Sequence, residues 1–263
     1  MTEAELELAK IAGKELAEPA RNLISPICQA MGQTFADFWN IVFGYPLSFV
    51  SEVTKAKLQS IQDDFLLKLK TETDKIPNDK KISEPDLAIL LPALEALKTS
   101  IADECARDMF AKLISNSMNS DYVNFVNKSF VEIIKQMSKL DAVILKTFVT
   151  MRRQPITKFI QYTDKQSIQF HTLQDLVYLP DIPESNNINK NAVSITNLKR
   201  LGLLEYEISE VGEYLQPESL YHKHDFLLKT VFNAHDENRP EKMVKGTVNI
   251  TPLGIDFIKS CIL

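Results

Sequence analysis

NKNAVSITNLKRLGLLEYEI, residues 189–208, is the stretch on which the reading of the second half depends. Asn189 has the side chain of a helix N-cap, able to accept an amide hydrogen of the first turn. Ile188, Ala192, Ile195 and Leu198 recur at the spacing of one apolar helical stripe. Leu201-Gly202 stops the run, since glycine tolerates the left-handed position that follows a helix. LLEYEI, residues 203–208, then reads as a strand. Upstream, SKLDAVILKTFVTMR (138–152) reads as a helix capped by Ser138, and 154–185 is mixed, with a loop YLPDIPESNN at 178–187. Downstream, 209–242 is polar with a helix read at 217–234, GTVNIT (246–251) reads as a strand and TPLGIDFIKSCI (251–262) as the last helix. Helix, loop with room for a further helix, helix ending in Leu-Gly, strand, long excursion, strand, helix is the layout of a winged-helix module.

The first half is helical throughout. Thr2 and Glu5 form a capping box for a helix over 2–20. Residues 54–73 place Leu58, Ile61, Phe65, Leu66 and Leu69 on one face. After the polar loop KIPNDKKISEP (75–85), Ser83 caps a helix over 84–98 that contains Pro92. Ser100 caps the next, 101–118, whose positive first turn holds Asp103 and Glu104. Asn119-Ser120-Asp121 breaks the chain before a helix over 122–137. The fold class expected is therefore mainly α: an N-terminal helical bundle, 1–137, followed by a winged-helix-like α+β domain, 138–263.

Residues 22–51 stand apart, because Asp37 is their one formal charge. FADFWNIVFGYPLSFV (35–50) reads either as a buried helical hairpin or as a membrane-interfacial segment, with Phe38, Trp39, Phe43, Tyr45 and Phe49 entering at headgroup level.

The chain has 30 Lys and Arg against 35 Asp and Glu, a net charge of −5, so it lacks the overall basic footprint of a nucleic-acid binder. Only 7 glycines in 263 residues argue against a fold built on tight turns. Cys28, Cys105 and Cys261 are odd in number and far apart, which fits free thiols in a reducing, cytoplasmic compartment. The N-terminus has no secretory pattern, and no run of eighteen apolar residues occurs.

Catalytic signatures are missing: neither glycine-rich phosphate loop nor a G-x-S-x-G elbow is found. His222-Lys223-His224-Asp225 groups three potential ligands, but on a helix His222 and His224 point about 200° apart. Adjacent carboxylates such as Asp63-Asp64, Asp103-Glu104 and Asp236-Glu237 do not face each other on a helix. Arg107-Asp108 lacks the following histidine that a helical nuclease motif would need. No catalytic residue, cofactor or metal is expected, and the chain reads as a binding protein. Its contact candidates lie on the 189–200 helix: Lys190, Asn191, Ser194, Asn197, Lys199 and Arg200. Asn and Arg suit base edges, and Lys199 suits a phosphate. A protein surface is the other use of the same face.

ECARDMFAKLISNSMNS (104–120) and FVEIIKQMSKLDAVILK (130–146) resemble the signature of the abortive infection alpha (Abi-alpha) family. IAGKELAEPARNLI (11–24), NLKRLGLLEY (197–206) and NITPLGIDFIKSC (249–261) are similar to other blocks of that family, whereas 205–245 and the Ser/Asn pattern of LISNSMNS depart from it. The resemblance implies a bacterial or phage-linked protein in antiphage defence by abortive infection. The role expected is non-enzymatic, by binding or sensing a protein partner or a second copy of the chain. A membrane effector using 22–51 and a DNA-binding regulator are the alternatives.

Overall fold

The computed structural model describes residues 52–82, 86–183, 187–209, 218–231 and 238–263. The helix expected over 2–20 and the aromatic segment with Phe38, Trp39, Phe43, Tyr45 and Phe49 lie outside the described residues. The described chain forms two compact units. One comprises the residues up to Gln136 together with Lys259–Leu263, and the other is Met137–Ile258.

The first unit is helical. Helix α1, Glu52–Asp74, buries Phe65, Leu66 and Leu69. Helix α2, Leu87–Ser100, starts where the Asp86 carboxylate accepts the Ala88 amide, and it buries Leu90, Ala93, Leu94 and Leu97 while Pro92 stays on the exposed side. Helix α3, Glu104–Ser117, is capped by Asp103, which accepts from the amides of Cys105 and Ala106. Ser100 is therefore the end of α2 and not the cap of α3. Met109, Phe110, Leu113 and Ile114 are buried on α3. The helix read over 122–137 is shorter than expected: a 3-10 turn occupies Val123–Phe125, and α4 spans only Ser129–Gln136. Asn127 explains the break, because its side chain takes both the amide and the hydroxyl of Ser129.

The second unit overturns the expected fold class. It holds α5 (Lys139–Thr147), β1 (Arg153–Tyr162), β2 (Phe170–Val177), α6 (Ile188–Arg200), β3 (Leu204–Ile208), α7 (His222–Val231), β4 (Glu241–Ile250) and α8 (Pro252–Phe257). The four strands form one antiparallel sheet in the order β2-β1-β4-β3. With eight α-helices and this sheet among the described residues, the chain is α+β, not mainly α with a bundle. The sequence reading missed β1 and β2. RQPITKFIQY contains Pro155, and proline is disfavoured inside a central strand. β1 is central, but β2 pairs only from Thr157 onward. Pro155 thus lies where β1 has a neighbour on the β4 side alone, the position at which a missing N–H is tolerated.

Local chemistry fixes the helix ends. Ser138 and Asp141 make a capping box at α5. At the end of α6, Gly202 adopts φ 76°. Its amide bonds Lys199 O and the Leu203 amide bonds Leu198 O, the paired closure of a Schellman motif. One face of the sheet buries Phe159 and Val177 against Leu228, with Leu173, Leu227, Met243, Leu179 and Ile188 packed around them. No helix among the described residues is long and apolar enough to cross a membrane.

Candidate functional site

The opposite face of the sheet is a concave groove of about 500 Å3 that crosses all four strands. Beneath it lie buried apolar residues, Ile160 of β1, Leu176 of β2 and Val244 of β4. Phe170 of β2 stands on one side and Tyr206 and Ile208 of β3 on the other. Phe170 is 42% exposed and packs edge-on against Tyr162 at 6.4 Å. Charge sits around the groove. Lys158 pairs with the exposed Asp175 at 2.9 Å, Glu207 borders the β3 side, and Lys199 from α6 stands 3.8 Å over the Tyr206 ring.

Two sequence features shape the concavity. β2 contains register shifts opposite Thr157/Phe159 and Phe159/Ile160, and an extra residue bends a strand. β4 carries Gly246 beside β3, where a Cβ would lie 2.3 Å from the Glu207 carbonyl oxygen and 2.7 Å from Ile208 Cγ1. Only glycine permits that approach.

The contact candidates on α6 divide into two sets. Lys190, Lys199 and Arg200 are exposed. Asn191 and Ser194 are buried, and Asn197 is half-buried. The Asn191 side-chain amide donates to Tyr178 O at 3.0 Å, the Ser194 hydroxyl donates to Asp141, and the Asn197 amide donates to Asp141 Oδ2 at 2.9 Å. Arg200 in turn donates to Asn197 Oδ1 at 2.7 Å. The amides that looked suited to base edges, and the Ser194 hydroxyl beside them, are thus bonded within the fold. The α6 N-cap is Asn187, which accepts from the Lys190 amide, while Asn189 receives the Gln174 side chain at 3.3 Å.

Three buried polar groups escaped the sequence reading. Asp141 is 3% exposed and gathers the Ser138 amide, Ser194 and Asn197. Tyr178 donates to Gln154 Oε1 at 2.6 Å, and Thr147 bonds both residues. Burial pushes the Tyr178 phenol well above its ordinary range, so it stays protonated. His224 is buried with Nδ1 2.8 Å from Thr157 Oγ1, beside the edge of Tyr221. Desolvation, helped by the Lys223 charge, lowers its pKa to about 4, so the ring is neutral at pH 7. The signal for this burial was the spacing of Tyr221, His224 and Leu228 on one helical stripe, with His222 left exposed.

Among the described residues no group of three or more His, Cys, Asp or Glu is placed to hold a metal ion. Arg107, which has no histidine after it to complete a nuclease motif, is a buried tie within the first unit: Nε donates to Asp64 at 2.8 Å and Nη1 to Ile101 O at 2.6 Å. Lys68 pairs with Asp108 on the same side.

Searches of curated proteins and of solved structures return no match. The family model described as Abortive infection alpha matches residues 57–261, a span containing nearly all the described helices and strands, and the chain belongs to that family.

Proposed function

We propose that this chain is a cytoplasmic, non-enzymatic antiphage protein that acts by binding a protein partner, and that the sheet groove seats an apolar anchor of that partner. Family membership supports the defence role. The groove supports the binding role, and its composition is the observation that carries the reading. Ile160, Leu176 and Val244 lie beneath it as core residues, Phe170, Tyr206 and Ile208 offer the reachable apolar surface, and Lys158, Asp175 and Glu207 form a polar rim. An apolar centre flanked by aromatic side chains inside a charged rim is how protein-recognition hot spots are built. A volume near 500 Å3 accepts a few side chains.

The test is phage plaquing on bacteria expressing wild type, Phe170→Asp or Ile208→Asp, with melting temperatures of the purified proteins alongside. Both substitutions put a charge at the groove wall. Protection is expected to be lost at unchanged folding. Full protection in both variants, or loss only where the protein has unfolded, sinks the reading.

A further inference from the structure

The sheet has two edges, β2 and β3. β2 is broken by two register shifts, and such bulges spoil an edge as a template for pairing. β3 is different. Its register with β4 is regular from Leu204↔Ile250 to Ile208↔Gly246, so its outer edge is straight over five residues. Among the described residues no backbone hydrogen bond leaves that edge.

The side chains of β3 sort by charge. Tyr206 and Ile208 line the groove, where the nearby charges include the cations Lys158 and Lys199. Glu205 and Glu207 alternate with them and are exposed, and Glu207 also borders the groove. We propose that the groove's partner binds as a fifth strand: an extended polypeptide segment, alternating basic and apolar residues, pairs with the free edge of β3. Its apolar side chains enter the groove past Tyr206 and Ile208, and its basic side chains meet Glu205 and Glu207. Residues directly opposite across a strand pair share a face, so the alternation of β3 imposes the complementary alternation on its guest. This deepens the protein-binding reading above and rests on it.

The probe is an end-capped, fluorescein-labelled seven-residue peptide alternating Lys and Val, titrated into the full chain and followed by anisotropy. Its Glu/Val counterpart and two N-methylated forms, one blocking the Lys amides and one the Val amides, serve as comparisons. The Lys/Val peptide is expected to bind and to slow amide exchange at Tyr206 and Ile208, whose amides face away from β4. Methylating one alternate set of amides should abolish binding and methylating the other should spare it, because only one peptide edge faces β3. Glu205→Lys with Glu207→Lys should weaken the Lys/Val peptide about tenfold and admit the Glu/Val peptide, which a misfolded variant would not do. Absence of binding, indifference to which amide set is methylated, slowed exchange on β2 in place of β3, or an unswapped charge preference each overturns the fifth strand. If Phe170→Asp abolishes phage protection while the double charge reversal leaves it intact, the groove stands and the edge pairing falls. If Phe170→Asp leaves protection intact, the underlying reading falls with it.

Discussion

Replacing Asp141 tests whether the polar face of α6 belongs to the fold. Its carboxylate is 3% exposed: Oδ1 takes the Ser194 hydroxyl, and Oδ2 takes the Ser138 amide at 2.7 Å and the Asn197 amide at 2.9 Å. Asp141→Ala removes the acceptor from three donors and half of the α5 capping box. Each buried donor left unpaired costs about 1–3 kcal/mol, and water entering the space lowers that, so the expected loss is about 3–5 kcal/mol. Asp141→Asn differs. Its oxygen can occupy the Oδ2 position and still accept from Ser138 and Asn197, while its NH2 faces Ser194. A hydroxyl accepts as readily as it donates, so Ser194 can rotate and keep a bond. The expected cost is then about 1–2 kcal/mol, the charge assistance lost. The assay is urea unfolding by circular dichroism, with the slope unchanged and only the midpoint moved. In thermal melts the alanine variant should fall by about 10–20 °C and the asparagine variant by about 3–8 °C. Ser194→Ala alone leaves the buried carboxylate a donor short, whereas added to Asp141→Asn it unpairs only a neutral NH2, so the double variant should lose less than the separate losses combined. An alanine variant as stable as wild type, or an asparagine variant as damaged as alanine, refutes this account.

Two other outcomes follow from the same packing. Gly246→Ala puts a methyl group 2.3 Å from the Glu207 carbonyl, so β3 must move off β4; a stability loss of about 2–4 kcal/mol with faster amide exchange confined to β3 is expected, and wild-type exchange at Glu205–Ile208 would contradict it. His224 titrates near pH 4 in the folded chain and near its ordinary 6.5 when unfolded, so between those values the unfolded state holds the extra proton. Stability on this account is fully present above pH 6.5 and falls by about 3 kcal/mol as the pH drops to 4. Comparing urea midpoints of wild type and His224→Gln at pH 7 and pH 4.5 isolates this histidine from the carboxylates, and equal acid sensitivity in the two proteins would show that His224 is not responsible.

What the sequence disclosed was local, and what it hid was assembled from a distance. Ser138 as a cap and Leu201-Gly202 as a stop were legible because each motif is complete within a few residues. The start of α6 was misplaced by two residues because asparagine occurs at 186, 187 and 189, and an apolar stripe does not say which one caps. The strands β1 and β2 stayed hidden because Pro155 and the two bulges break the alternation that marks a strand. The groove needs all four strands, so a reader who missed two of them could not see it.

The α6 misreading has a more general cause. A helical wheel sorts residues by polarity and assumes that the polar side faces water. Here Val193 is 70% exposed while Asn191 and Ser194 are buried. The reason lies about fifty residues upstream, in Asp141: a buried carboxylate has to be surrounded by donors, and α6 supplies two of them. With Asp141 and the Tyr178 carbonyl holding that face, the exposed candidates on α6 are Lys190, Lys199 and Arg200, the last of them bonded to Asn197. Lys199 already leans over Tyr206 at the wall of the groove. On the proposed reading, the helix that looked like the recognition element contributes a cation to the rim of the groove, and selectivity comes from the groove wall and the β3 edge.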